Sequence, residues 1–342
     1  MEPEEIDKEK YFTLFEQFKN NSHTHFVEQD DNILIIDFLN LFIRNFTGSP
    51  AMNDNGEHVG GITASLQGIG NAIRLTGATK CIIVADGEGG SSRRRKLYPE
   101  YKNKRRVKSL HVNRTYEFKT EDEELAAMKT QSIRLMQYIN YLPIIFVCID
   151  NTEADDIIAY IAKEVFNKEN NKITIMSSDK DFLQLVDDRI QVWSPTKKKM
   201  YSKSMIQDEY GISSENFIFY RMLDGDTSDN IPGVYGAGLK TMKKYLPFIS
   251  SSQKTSVNEI FEYAQKQNED KKTNKKFYTH IIESKDQLLL NERLMQLESP
   301  DISAHAKMMV TQKVTGEVPV LNKYEIHLMY IHDKFGTSMS NI

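Results

Sequence analysis

The chain has 342 residues, 39% of them hydrophobic, 10% aromatic and 27% charged, and its 44 basic and 48 acidic side chains leave a net charge of −4. That length admits two or three domains around a sizeable core, and no run of 18 apolar residues is present to span a membrane. The acidic start MEPEEIDKEK is not a secretory signal, the eight histidines show no paired-ligand spacing, and Cys81 and Cys148 sit inside apolar runs, so we expect reduced core cysteines in a cytoplasmic protein.

Residues 1–31 read as an extension in which Tyr11, Phe12, Leu14, Phe15 and Phe18 have the spacing of a short amphipathic helix docked on the body. From Asn32 short β-branched runs alternate with longer helical patterns. Strands are predicted at Ile33–Ile36, Cys81–Ala85, Ile144–Ile149 and Ile173–Met176, with another near Ile190–Trp193. Helices are predicted at Gly61–Leu75, Glu121–Tyr141 and Glu153–Phe166. Buried strands separated by helices imply an α/β fold with a mostly parallel central sheet. After Tyr201 the strand signal fades, and Met205–Tyr210, Ser214–Leu223, Leu239–Leu246, Asp286–Leu297 and Lys323–Phe335 read as helices. Residues 250–285, rich in Lys, Asn, Gln and Ser, read as a mobile or inserted surface segment. The division is therefore an extension at 1–31, an α/β core at 32–200 and a helical region at 201–342.

Charge is unevenly spread. Between Arg93 and Lys108 nine basic residues, among them Arg93, Arg94, Arg95, Lys96, Lys102, Arg105 and Arg106, face the single acid Glu100. Such a block inside an acidic protein is the footprint of a polyanion.

Each of the first four strands ends in a carboxylate. Asp37 follows the first and Asp86 the second; Glu153, Asp155 and Asp156 follow the third, and Asp179 and Asp181 the fourth. An Asp after a strand is by default the cap of the next helix. Four in succession, two of them doubled, instead collect seven carboxylates along the sheet edge where open α/β folds place their ligands. Converging carboxylates repel one another, and the sequence puts no Arg or Lys at these strand ends, so hard divalent cations such as Mg²⁺ or Mn²⁺ are the expected neutralisers. Further on, LDGDTSDNIPGVYGAGLK adds Asp226 and Asp229, then Gly233, Gly236 and Gly238 ahead of a helix bearing Lys240. Ordinary turn chemistry accounts for the acids; glycines before a helix start also let backbone amides meet a phosphate.

The segments IIDFLN, VADG, LYPEYKNKR, TEADD, SSDKDFLQLV and GDTSDNIPGVYGAGLKT stand in this order over residues 32–246. In this the chain resembles the structure-specific 5′ nuclease superfamily, which includes flap endonucleases and 5′–3′ exonucleases, and within it is most similar to the ribonuclease H branch of T-even-type phages. The resemblance implies a PIN-like 5′ nuclease fold with a basic helical arch over about 88–125 and a helix–three-turn–helix motif at about 214–246. It implies a first metal site from Asp37, Asp86, Glu153 and a bridging Asp155, and a second, or its water-mediated shell, from Asp156, Asp179, Asp181, Asp226 and Asp229. Lys102 and Arg105 match the catalytic basic pair at the base of the arch, and Tyr101 an aromatic that stacks on a nucleobase. The remaining basic residues of the arch and the glycine hairpin with Lys240 would grip nucleic acid, a K⁺ ion joining at the hairpin. The implied activity is two-metal hydrolysis of RNA or DNA near 5′ ends in duplexes, releasing RNA primers and 5′ flaps with 5′-phosphate products. The implied partners are a flapped, nicked or RNA·DNA duplex and a single-stranded-DNA-binding replication protein, with no membrane and a monomeric enzyme. The rivals are a non-catalytic binder of branched DNA and a PIN-like ribonuclease.

Overall fold

The computed structural model of the protein describes residues 31–103, 113–269 and 275–336. Six strands form its sheet: β1 (Asn32–Asp37), β2 (Lys80–Asp86), β3 (Ile145–Ile149), β4 (Lys172–Met176), β5 (Ile190–Ser194) and β6 (Lys199–Tyr201), in the order β3-β2-β1-β4-β5-β6. The first five are parallel, and β6 turns back antiparallel on β5. Because β1 pairs with both β2 and β4, the order reverses there, and a crevice opens beyond the carboxyl ends of those two strands.

The near-continuous apolar composition of the strands follows from burial on both faces. Alternate residues feed two cores. Ile33, Ile35, Ile82, Val84, Ile173 and Ile175 face one; Leu34, Ile36, Ile83 and Met176 face the other. The second core is roofed by α1 (Phe38–Gly48), α2 (Gly60–Thr76) and α4 (Glu121–Ile139), the short α3 (Ser92–Leu97) preceding α4 in the chain. The first core takes α5 (Ala154–Tyr160), extended by a π-helical turn at Ile161–Val165, and runs without a break into the helical region. That region holds α6 (Lys203–Tyr210), α7 (Phe217–Asp224), α8 (Leu239–Tyr245), α9 (Val257–Glu269), α10 (Lys275–Glu283), α11 (Lys285–Met295), α12 (Ala304–Thr315) and α13 (Lys323–His332).

Three readings change. The segment 250–285 is largely helical: α9 and α10 turn Val257, Ile260, Phe261, Ala264, Phe277, Tyr278 and Ile281 into the first core, and polar residues cover only the outer face. Cys81 is buried as expected, but Cys148 is exposed, because β3 is an edge strand. The helix α1 begins directly after Asp37, its N-cap, where the sequence reading ended a strand without starting a helix. The docked helix expected at residues 11–18 lies outside the described residues.

Candidate metal and nucleic-acid site

The strand-end carboxylates gather around the crevice, each held by the element that follows it. Asp37 caps α1, its Oδ1 accepting from the Asn40 amide at 3.1 Å, while Ser177 donates its hydroxyl to Oδ2 at 3.0 Å. Asp86 Oδ1 accepts the Ala154 amide at 2.7 Å, which ties the end of β2 to the start of α5. Asp179 caps the 3₁₀ turn Lys180–Leu185 through the Asp181 amide at 2.8 Å. Capping and clustering are thus the same residues in two roles.

Basic side chains do stand at this edge, contrary to the sequence expectation: Lys180, between Asp179 and Asp181, is exposed, and those that engage the acids come from other elements. Arg94, 4% exposed on α3, makes a two-pronged pair with Asp156 at 2.7 and 2.9 Å, meets Glu153 with Nη1, and donates Nε to the Leu294 carbonyl at 2.8 Å. Lys102 also meets Glu153. Arg221 of α7 spans Asp181 and Asp226, at 2.6 Å from the latter. Burial alone would raise the Glu153 carboxyl, but Arg94 and Lys102 hold it below its usual range. Four of the nine acids, Asp37, Asp86, Asp155 and Asp179, have no Arg or Lys within ion-pair distance among the described residues.

These four act on one another. Burial, then repulsion from Asp179 and Asp86, pushes the Asp37 carboxyl up to about 6. Burial, then Asp179 and Asp37, lifts Asp155 well above the carboxylate range. Asp181 is pushed up to about 7, by burial first and Asp179 second, with Arg221 opposing. A cluster in which Asp37, Asp155 and Asp181 resist ionisation, and whose edge is open to solvent at Asp86 and Asp179, is short of positive charge. No three Asp, Glu, His or Cys side chains among the described residues already stand in a geometry that holds a metal ion. The donor set, carboxylate oxygens alone, nevertheless fits a hard cation.

The remaining expected residues divide. Arg94 is a buried partner of acids, so it does not face a polyanion; Asp156, matched to a metal shell, is its counter-ion. Tyr101 is 3% exposed, its hydroxyl 3.2 Å from Asp229 Oδ2 and 3.3 Å from Glu153 Oε1, so its ring is not open for base stacking. Arg93 and Arg95 are half-buried, Arg93 facing Asp301 at 3.0 Å, while Lys96 is exposed. Arg105 and Arg106, with the middle of the expected arch, lie outside the described residues.

The glycine hairpin joins α7 to α8. Asp226 nucleates it by accepting from the Ser228 amide at 2.7 Å and the Asp229 amide at 3.2 Å, and Asp226 and Ile231 exchange backbone bonds. At Gly233 an added Cβ would stand 2.3 Å from the Asp224 carbonyl oxygen, so only glycine lets the two legs close. Asn291 of α11, fully buried, donates to the carbonyls of Met222 at 2.9 Å and Pro232 at 2.8 Å and clamps both legs. Gly236, Gly238 and Lys240 are exposed at the tip and the start of α8. The Lys102 amide donates to the Asp229 carbonyl at 2.9 Å, and the Asn230 amide group to that of Glu100 at 2.9 Å, so the hairpin, the basic segment and the acids form one unit. Arg221, Asn291 and Ser177 escaped the sequence reading. Only the position of Arg221, five residues before Asp226, carried a signal for it.

Residues 32–211 match the family model described as the 5′–3′ exonuclease, N-terminal resolvase-like domain. The 5′–3′ exonuclease of Buchnera aphidicola subsp. Acyrthosiphon pisum is 30% identical over 214 residues, 62% of this chain and 69% of that protein. DNA polymerase I of Bacillus subtilis is 29% identical over 270 residues, 77% of this chain but 27% of the polymerase. Among solved structures, the T5 D15 protein co-crystallised with metal ions is similar with a TM-score of 0.64 and 22% identity, over 83% of this chain and 98% of that one.

Proposed function

Since the chain belongs to the 5′–3′ exonuclease family, we propose that it is a divalent-metal-dependent 5′ nuclease acting on duplexes with a 5′ flap, nick or RNA primer, and leaving 5′-phosphate products. The observation that carries this reading is the set Asp37, Asp86, Asp155 and Asp179: carboxylates without basic partners at the switch point of a parallel sheet, beside a basic segment and a glycine hairpin. These four would hold Mg²⁺ or Mn²⁺, with Glu153 and Asp181 at the margin. A bound cation of this kind supplies Lewis-acid activation of water and charge neutralisation at a phosphodiester. The similarity in fold to a T5 D15 protein co-crystallised with metal ions supports a metal site of some kind here.

The chain's own residues then have separate tasks. Asp37 and Asp86 are fixed by backbone amides, so their oxygens are aimed before any ligand arrives. Lys102 rests on Glu153 beside the acids, where its ammonium meets the negative charge of an incoming phosphate. The exposed tip at Gly236, Gly238 and Lys240 grips duplex backbone independently of sequence. Recognition is then of shape and charge, which suits a junction substrate.

A nicked duplex with a 5′-labelled flap tests the proposal, incubated with Mg²⁺ or with EDTA beside Asp179→Asn. Mg²⁺-dependent release of 5′ fragments that is absent in the variant is the expected result, and replacing the flap with an annealed RNA primer reads the RNA preference. Tight, salt-sensitive binding without cleavage by the native chain would sink the nuclease reading in favour of a binder.

A further inference from the structure

The helix α13 is apolar on more than one side. Met329, with Ile326 and Tyr330, packs into the second core together with Phe335. On another side Tyr324, Leu328 and Ile331, spaced i, i+4, i+7, form a stripe that is 69%, 43% and 59% exposed, and Val320 and Leu321 just ahead of the helix extend it, Val320 at 87%. Lys323, Glu325, His327 and His332 flank this second apolar face, and the run of exposed side chains is too regular for scattered surface residues.

The place of the stripe narrows what covers it. Lys80, which opens β2 opposite Ile33 of β1, sends its ammonium to the Val314 carbonyl at the end of α12, 3.4 Å away. The Asn322 amide donates at 2.9 Å to the Tyr141 carbonyl, shortly before β3. Both contacts put the α12–α13 connection at the amino-terminal edge of the sheet, where adjacent strands stand about 4.8 Å apart. The chain enters β1 at that same edge. Ahead of it, Tyr11, Leu14, Phe15 and Phe18 are spaced i, i+3, i+4, i+7 and flanked by Phe12, a complementary apolar face. The 12 intervening residues, 19–30, span up to about 40 Å when extended, ample to cross two strand spacings.

We propose that residues 11–18 of the same chain dock on the stripe Val320, Leu321, Tyr324, Leu328 and Ile331, making the amino-terminal extension an intramolecular cover for α13. Charge agrees: residues 1–9 carry five acids against one lysine, and Lys313 and Lys323 are exposed at the ends of the two helices they would approach. This docking does not depend on the nuclease chemistry, because stripe and crevice lie at opposite edges of the sheet.

Hydroxyl-radical footprinting of the full chain reads the side chains directly. In the native protein Tyr324, Leu328 and Ile331 should label at least threefold more slowly than their exposure in the body of the protein allows, with Tyr235, 83% exposed, as the open reference. Phe15→Glu should raise their labelling at least threefold and leave Tyr235 and flap cleavage unchanged. Equal, fast labelling in both proteins would overturn the proposal and leave the stripe open for a different protein. Protection that disappears on dilution and is insensitive to Phe15→Glu would overturn it in favour of a second copy of the chain.

Discussion

Asp37 is both a helix cap and a member of a repelling cluster, and the two roles separate by protonation. Its carboxyl, pushed up to about 6 from an ordinary 3.8, is harder to ionise in the folded than in the unfolded chain. The folded state therefore carries a penalty that is full above pH 6, shrinks as pH falls from 6 toward 3.8, and vanishes below that window. At about 1.4 kcal/mol per unit the full penalty is at most about 3 kcal/mol. Asp37→Asn keeps an oxygen for the Asn40 amide, and its new amide hydrogens meet the Ser177 hydroxyl, which accepts as readily as it donates. In metal-free buffer the variant should melt a few °C higher than the native protein at pH 8. That advantage should shrink by pH 4.5. A lower Tm at both pH values in thermal scans would show that the cap, and not the repulsion, dominates at this residue.

At the level of elements, the hairpin between α7 and α8 owes its shape to a residue in another helix. Asn291→Leu would leave the buried Met222 carbonyl without its donor and free the half-buried Pro232 carbonyl, at a cost of about 1–3 kcal/mol. It should also weaken duplex binding while leaving the acid cluster in place. Chemical denaturation and binding in Ca²⁺ check the two halves, and full-strength binding by the destabilised variant would detach Asn291 from the grip. Asn291 also marks where sequence reading stops. The parallel strands, the four acid-bearing strand ends and the glycine hairpin were legible because each is a local pattern of a few residues. Asn291 and Arg94 act on partners brought near only by the fold, and nothing beside them in the chain announces it, while Arg221 had only its nearness to Asp226 to give it away. Cys148 was misplaced because an apolar run does not reveal whether its strand is central or at an edge. The segment 250–285 was misread because lysines and asparagines on the outer faces of α9 and α10 mask an apolar stripe of helical period.

For the whole molecule, a net charge of −4 conceals a strong separation: nine acids around one crevice, against basic side chains on the adjoining segment and hairpin. Arg94, Lys102 and Arg221 offset part of that negative charge from within, which lets the fold close without an added cation. What they leave uncompensated, chiefly around Asp155, is a reserve of unfavourable energy that a divalent cation would relieve. Because Mg²⁺ would bind the folded crevice and not the unfolded chain, it should raise Tm by mass action, by about 2.7 kcal/mol at a hundredfold excess over its Kd, or about 4 °C for a chain of this size. Asp155→Asn should melt higher than the native protein without metal, through lost repulsion, and should gain little from Mg²⁺. Thermal scans of EDTA-treated protein with Mg²⁺, against NaCl at equal ionic strength, separate specific binding from screening, since screening follows ionic strength whichever cation supplies it. An equal rise with NaCl, or an undiminished Mg²⁺ response in Asp155→Asn, would place the cation elsewhere than among the strand-end carboxylates.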